Sequence, residues 1–183
     1  MKKEYIEKIY AGWLAKVIGV RYGAPVESWT YEKIKKFYGT LDDYPQDYKL
    51  FAADDDTNGP LFFLRGLEDS GHYKDEGKDF CAQDVADALL NYAPYEHGFF
   101  WWGGYGISTE HTAYLNLRNG IPAPRSGSIE QNVAATAEQI GGQIFIDTWG
   151  LVAPGKTDSN TSTKALAMTG IPETAISFRT SVS

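Results

Sequence analysis

The chain has 183 residues, one cysteine, 43% hydrophobic and 22% charged residues, and a formal charge of −7. That length allows one domain with a sizeable core. The acidic balance excludes the basic face that binding to a nucleic-acid backbone requires.

Cys81 has no internal disulfide partner. The first eight residues lack the continuous apolar stretch of a secretion signal, and no run approaches the roughly 20 apolar residues of a membrane span. A cytoplasmic protein without a membrane partner is expected.

Ile6, Ile9, Tyr10, Trp13 and Val17 recur at steps of three and four, while Lys3, Glu7, Lys8 and Lys16 mostly lie off that stripe. This spacing predicts an amphipathic helix, broken at Gly19 and then at Gly23-Ala24-Pro25. A short helix is predicted after Thr30, with Ile34, Phe37 and Tyr38 inward and an end at Gly39. Residues 40–53 have no clear period and read as a loop.

After Thr57 a further helix is expected, with Pro60 in its first turn and Leu61, Leu64 and Leu67 on one face. Helical patterns recur over 80–92, 108–118 and 129–146, separated by a glycine and aromatic loop at 99–106. No stretch alternates long enough for a sheet, and no internal repeat is present. The fold class is all-α.

Asp54-Asp55-Asp56-Thr57 is the chemically loaded run. Adjacent carboxylates repel, and in a folded cleft a cation offsets that cost. Carboxylate and hydroxyl oxygens are hard ligands, suited to Mg²⁺, Mn²⁺ or Ca²⁺ rather than zinc. The bland alternative is a helix cap with solvated acidic neighbours. Apolar flanks, Phe51-Ala52-Ala53 and Leu61-Phe62-Phe63, favour a cluster held against a core.

A phosphatase of the haloacid-dehalogenase type needs Asp-x-Asp-x-Thr after a buried strand, but Asn58 stands at the Thr position. An EF-hand starting at Asp54 has Gly59 at its sixth position but Arg65 where the closing Glu belongs. His72, His97 and His111 lack metal-ligand spacing and read as surface or hydrogen-bonding groups, and Cys81 as a packing residue in a helix. Phe99-Phe100-Trp101-Trp102 reads as core or interface packing, with a ligand wall as the alternative.

Several segments together resemble one family. They are 11–19 (AGWLAKVIG), Gly23-Ala24-Pro25-Val26-Glu27, Asp55-Asp56-Thr57, Gly104-Tyr105-Gly106, 116–124 (NLRNGIPAP) and 138–147 (EQIGGQIFID). In order and spacing over about residues 5–155 they are similar to the ADP-ribosylglycohydrolase family, in a bacterial branch.

The resemblance implies an orthogonal multi-helix bundle with two Mg²⁺ ions, Mn²⁺ being the alternative. It implies hydrolysis of a glycosidic bond in an ADP-ribosylated protein or a small ribosyl or nucleotide substrate. Asp55 and Asp56 match metal ligands. Asp54 stands where the family has Ser or Thr and counts as a third ligand. Glu27 and Asp56 match catalytic positions. Tyr105 and Gly106 match a loop lying against the substrate. Asn132, in Gln131-Asn132-Val133, stands where the family has Gly-Asn-Gly near the phosphates.

The family closes its metal site with a later Asp-x-Asp-(Ser/Thr), and none follows Thr57 here. The pattern stops at Pro154-Gly155, and roughly two in five of the residues from Lys156 onward are Ser or Thr. Residues 1–155 are thus expected to be the N-terminal portion of a larger helical domain. Residues 156–183 are expected to be a divergent tail, out of frame or disordered. The leaving group and the oligomeric state stay open. Two functional classes also stay open: a metal-dependent hydrolase with weak or absent turnover in this chain, and a non-catalytic helical binding or structural relative.

Overall fold

A computed structural model describes residues 3–47, 49, 54–71, 80–98 and 100–152. Among them there are helices and no strand, so the chain is all-α as its pattern implies. The tail from Lys156, with Asp158-Ser159-Asn160-Thr161, lies outside the described residues, as do His72 and Phe99. The chain forms two compact units, residues 1–53 and 54–183.

In the first unit, α1 spans Lys3–Gly23 and α2 spans Tyr31–Tyr38. Gly19 does not break α1: helical geometry continues through it, and a Cβ there would meet nothing within 4 Å. The half-buried positions of α1 are Tyr5, Ile9, Trp13, Lys16, Val17, Val20, Arg21, Tyr22 and Gly23, whereas Ile6 and Tyr10 are exposed. The inward face is therefore rotated from the expected one.

α2 begins where the sequence places it. Thr30 accepts the Lys33 amide at 3.2 Å, the cap that satisfies one orphan donor of a first turn. Gly39, at φ +71, closes the helix in the left-handed region that glycine enters without strain. Of its expected inward residues, Ile34 and Tyr38 are half-buried and Phe37 is exposed, set edge-on to Trp29.

In the second unit, α3 (Asp55–Asp69) packs on α4 (Ala82–Tyr92), and α4 packs on α5 (Thr109–Arg118). α3 starts earlier than expected, so Asp55 and Asp56 lie inside its first turn and Pro60 lies within the helix. Proline there removes the amide that would bond the Asp56 carbonyl. The buried face of α3 is Thr57, Gly59, Pro60, Phe63 and Gly66, and Leu61 is exposed. Leu64 and Leu67 are half-buried, and Leu67 packs against the core. A Cβ on Gly66 would stand 2.8 Å from the Asp84 carbonyl oxygen, so α3 and α4 cross backbone to backbone.

Cys81 is exposed at the N-cap of α4 rather than packed inside a helix. α5 is capped by Ser108, which accepts the His111 amide at 3.3 Å. The long helix expected over 129–146 is instead broken. Short helices α6 (Ala134–Ala137) and α7 (Gly141–Phe145) replace it, and α8 (Asp147–Val152) follows. Asn132 starts the interruption, because its side-chain amide donates to the Ser126 and Ser128 carbonyls at 3.0 Å each and holds a turn there. The Gly141-Gly142 pair weakens helix propensity further on.

The core gathers Phe63, Phe80, Val85, Leu89, Phe100, Tyr114, Leu117, Phe145 and Trp149. No described helix is long and apolar enough to cross a membrane.

Candidate metal centre

Asp54 is the N-cap of α3, in extended geometry at φ −131° and ψ 176°. Its carbonyl accepts the amides of Thr57 (3.2 Å) and Asn58 (2.9 Å), and also the Thr57 hydroxyl (3.1 Å) and the Asn58 side-chain amide (2.7 Å). These bonds fix the first turn, so the three successive carboxylates converge. One oxygen from each of Asp54, Asp55 and Asp56 lies within 4.8 Å of the others. Asp55 Oδ1 also accepts the Asp56 amide at 3.0 Å.

The Asp54 carboxylate is the strained member. Burial, followed by the charges of Asp56 and Asp55, pushes it up to about 6. The amides of Asp56 and Thr57 offset this in part without closing a side-chain cap. Asp54 Oδ1 is buried and has no hydrogen-bond partner. A buried, unsatisfied carboxylate oxygen is costly, and a hard divalent cation removes that cost. The donor set and the orphaned oxygen therefore fit such an ion, which Asp54, Asp55 and Asp56 could hold.

Sequence reasoning missed Glu110, in the first turn of α5. Burial pushes its carboxyl up to about 7, its own amide opposes the shift, and Asp55 and Asp56 add to it. Glutamate just after a Ser cap reads as an ordinary partner of a helix N-terminus. The one hint in the sequence is the Gly141-Gly142 pair, a mark of close approach. A Cβ on Gly141 would stand 2.3 Å from Glu110 Oε1.

The Tyr105 loop is held by side chains of neighbouring helices. The Gly104 amide donates to His111 Nδ1 at 3.0 Å, and the Gly106 amide donates to Thr112 Oγ1 at 2.9 Å. The Thr136 hydroxyl donates to the Gly106 carbonyl at 2.9 Å. Tyr105 is exposed, and its hydroxyl donates to Asn116 Oδ1 at 3.3 Å. Asn116 in turn donates to Asn132 Oδ1 at 2.9 Å. Tyr105, Gly106 and Asn132 thus share one network, and both ends of the Asn132 amide are engaged inside the protein. His111 takes the hydrogen-bonding role expected of it. Glu27 lies in the first unit, exposed, at the end of the 3₁₀ turn Ala24–Val26.

No curated protein and no solved structure matches the chain. A family model does: that of the ADP-ribosylglycohydrolases aligns with residues 1–170, the whole of the first unit and most of the second. An all-helical chain with a convergent acidic turn agrees with a family that is typically metal-dependent, and this chain belongs to the ADP-ribosylglycohydrolase family.

Proposed function

We propose that the chain carries the first acidic arm of a Mg²⁺ centre, with Mn²⁺ as an alternative ion. On this reading it serves hydrolysis of the glycosidic bond between ribose and its leaving group in an ADP-ribosylated substrate. The observation that carries this is the convergence of Asp54, Asp55 and Asp56, beside a buried Asp54 Oδ1 that no protein donor satisfies.

Cleavage at the anomeric carbon passes through an oxocarbenium-like state. A divalent ion supplies positive charge that orients ribose hydroxyls and makes water more acidic. Asp55 and Asp56 are the ligands supported by both motif and geometry, and Asp56 is the one also assigned to the catalytic step. Glu27 is assigned to take a proton from the attacking water, on its motif position. The exposed Tyr105 ring offers a face to the substrate, and Gly106 lets the ligand approach the backbone. Asn132 acts through Asn116 as a positioning residue for Tyr105, because its own amide is already engaged.

Metal binding is the first test and turnover the second. Calorimetric titration of the 183-residue chain with Mg²⁺ or Mn²⁺ is expected to show a site that Asp55→Asn and Asp56→Asn each abolish. Release of ADP-ribose from a modified protein should then require the ion and stop with EDTA. Turnover that survives EDTA would sink the reading. The alternative reading is a helical binding or structural relative of the family. Metal binding without any detectable release of ADP-ribose would support that one.

A further inference from the structure

We propose that His111 is a proton-sensitive latch on the 104–106 loop: its neutral ring holds the loop against α5, and protonation of the ring releases it. The consequence for substrate rests on the reading of Tyr105 and Gly106 as groups that meet the ribosyl ligand. The latch itself stands without that reading.

A backbone amide can only donate. The Gly104 N–H lies 3.0 Å from His111 Nδ1, so that nitrogen presents its lone pair and carries no proton. The ring proton then sits on Nε2, which faces the Tyr95 hydroxyl at 3.4 Å. His111 is buried, and the rings of Tyr95 and Trp102 meet it edge-on at 5.6 and 5.3 Å. Protonation puts an N–H on Nδ1, aimed at the Gly104 N–H. The bond is lost, two donors face each other, and a donor left without an acceptor in a buried place is costly.

The other holders of the loop do not respond to pH in this way. Thr112 Oγ1 accepts the Gly106 amide at 2.9 Å, the Thr136 hydroxyl donates to the Gly106 carbonyl at 2.9 Å, and Asn116 Oδ1 accepts the Tyr105 hydroxyl at 3.3 Å. Of these four side chains, a histidine alone is of a type that changes charge between about pH 5 and pH 8. The Gly104 carbonyl accepts the Ile107 and Ser108 amides at 3.1 Å each, so release leaves the Ser108 cap of α5 in place. The titratable and charged groups around the ring are Tyr95 and Tyr114, stacked at 5.1 Å, Arg118 at 4.9 and 5.8 Å from their centres, and Glu96 beside Tyr95. Arg118 opposes a charged imidazole and Glu96 favours it. Both act at Tyr95, on the Nε2 side, so neither gives Nδ1 a substitute for Gly104. Glu110, the neighbouring residue on α5, rests against Gly141 instead.

Proton–nitrogen spectra of the 183-residue chain in EDTA test the latch. At pH 8 the His111 ring is expected to carry its proton on Nε2. As the ring becomes charged, protection of the Gly104 amide, corrected for intrinsic exchange, should fall about tenfold, the size of one net hydrogen bond. The first turn of α5 should keep its protection. His111→Asn brings Oδ1 close to the place of Nδ1 and does not titrate, so Gly104 should stay protected at pH 5 as at pH 8. His111→Phe keeps a ring without an acceptor, and Gly104 protection should be low at both. A proton on Nδ1 at pH 8, a ring that stays neutral down to pH 5, or Gly104 protection indifferent to the ring's charge would each overturn the proposal. Loss of protection on acidification in His111→Asn as in the parent chain would do the same. ADP-ribose is the ligand probe, and its calorimetric affinity should weaken toward pH 5 more in the parent chain than in His111→Asn. The difference between the two decides, because Asp54 and Glu110 titrate in the same range in both. Equal profiles would sever the latch from substrate. A pH-dependent Gly104 bond without any ADP-ribose binding would uphold the latch and remove the substrate reading of the loop.

Discussion

Asp54 has lost part of its hydration without gaining a partner for Oδ1, and Glu110 lies in apolar surroundings under the charges of Asp55 and Asp56. Both carboxyls titrate above their ordinary values of 3.8 and 4.5, at about 6 and about 7. Each therefore holds its proton more tightly in the folded chain than in the unfolded one. The stability that this protonation contributes is complete below the ordinary values and is lost as pH rises through the folded ones. For Glu110 a shift of that size corresponds to on the order of 3 kcal/mol. In EDTA the melting temperature should fall between pH 5 and pH 8, and saturating Mg²⁺ or Mn²⁺ should flatten that slope. A melting temperature that rises with pH over this window in EDTA would contradict the assignment. Asp54→Asn should make the metal-free chain more stable at pH 8 and weaken cation binding, because it removes the same charge from both balances.

Small residues decide how the helices of the second unit meet, and hydropathy patterns do not register them. Gly66 lets α3 lie against the backbone of α4, where a Cβ would stand 2.8 Å from the Asp84 carbonyl oxygen and 3.1 Å from the Val85 Cα. Neither atom is free to swing away. Gly66→Ala should destabilise the fold by about 1–3 kcal/mol by overpacking, despite the better helix propensity of alanine. Gly19, inside α1 with open space around it, is the matched control. Gly19→Ala should stabilise α1 by about 0.5–1 kcal/mol. Thermal melts of both variants, with opposite signs expected, check the pair, and equal signs would defeat the argument.

The same physics separates what the sequence discloses from what it hides. α2 and α5 are legible because Thr30 and Ser108 mark their starts, and α4 because its apolar spacing is regular, although its cap, Cys81, reads as part of the helix. The inward face of α3 is not, since it is chosen by Gly59 and Gly66 rather than by its leucines. Residues 129–146 read as one helix because their apolar spacing fits, yet the Asn132 side chain captures the backbone before a helix can propagate. At the site, three adjacent aspartates are local and legible. Glu110 rests against Gly141 of α7, a contact at which only the Gly141-Gly142 pair hints along the chain.

The two compact units differ in how much they bury. α1 and α2 contain no buried residue, and α1 exposes Ile6, Tyr10, Leu14 and Ile18 at steps of four. The second unit encloses a continuous aromatic and aliphatic core from Phe63 to Trp149. Opening energy follows buried apolar contact, so units that bury little open locally at low cost. α1 has i,i+4 ion pairs, Lys3 with Glu7 and Lys8 with Glu4, but all four side chains are largely exposed, and such pairs contribute little. The 183-residue chain should therefore unfold in parts rather than in one step. Amide hydrogen exchange should be fastest through α1 and α2 and slowest through α4 and α5, where Val85, Leu89, Tyr114 and Leu117 are buried. Added Mn²⁺ should slow exchange most at the first turn of α3 and least in α2. Uniform protection across both units, with one cooperative melt, would show that the first unit draws its stability from contacts beyond its own helices.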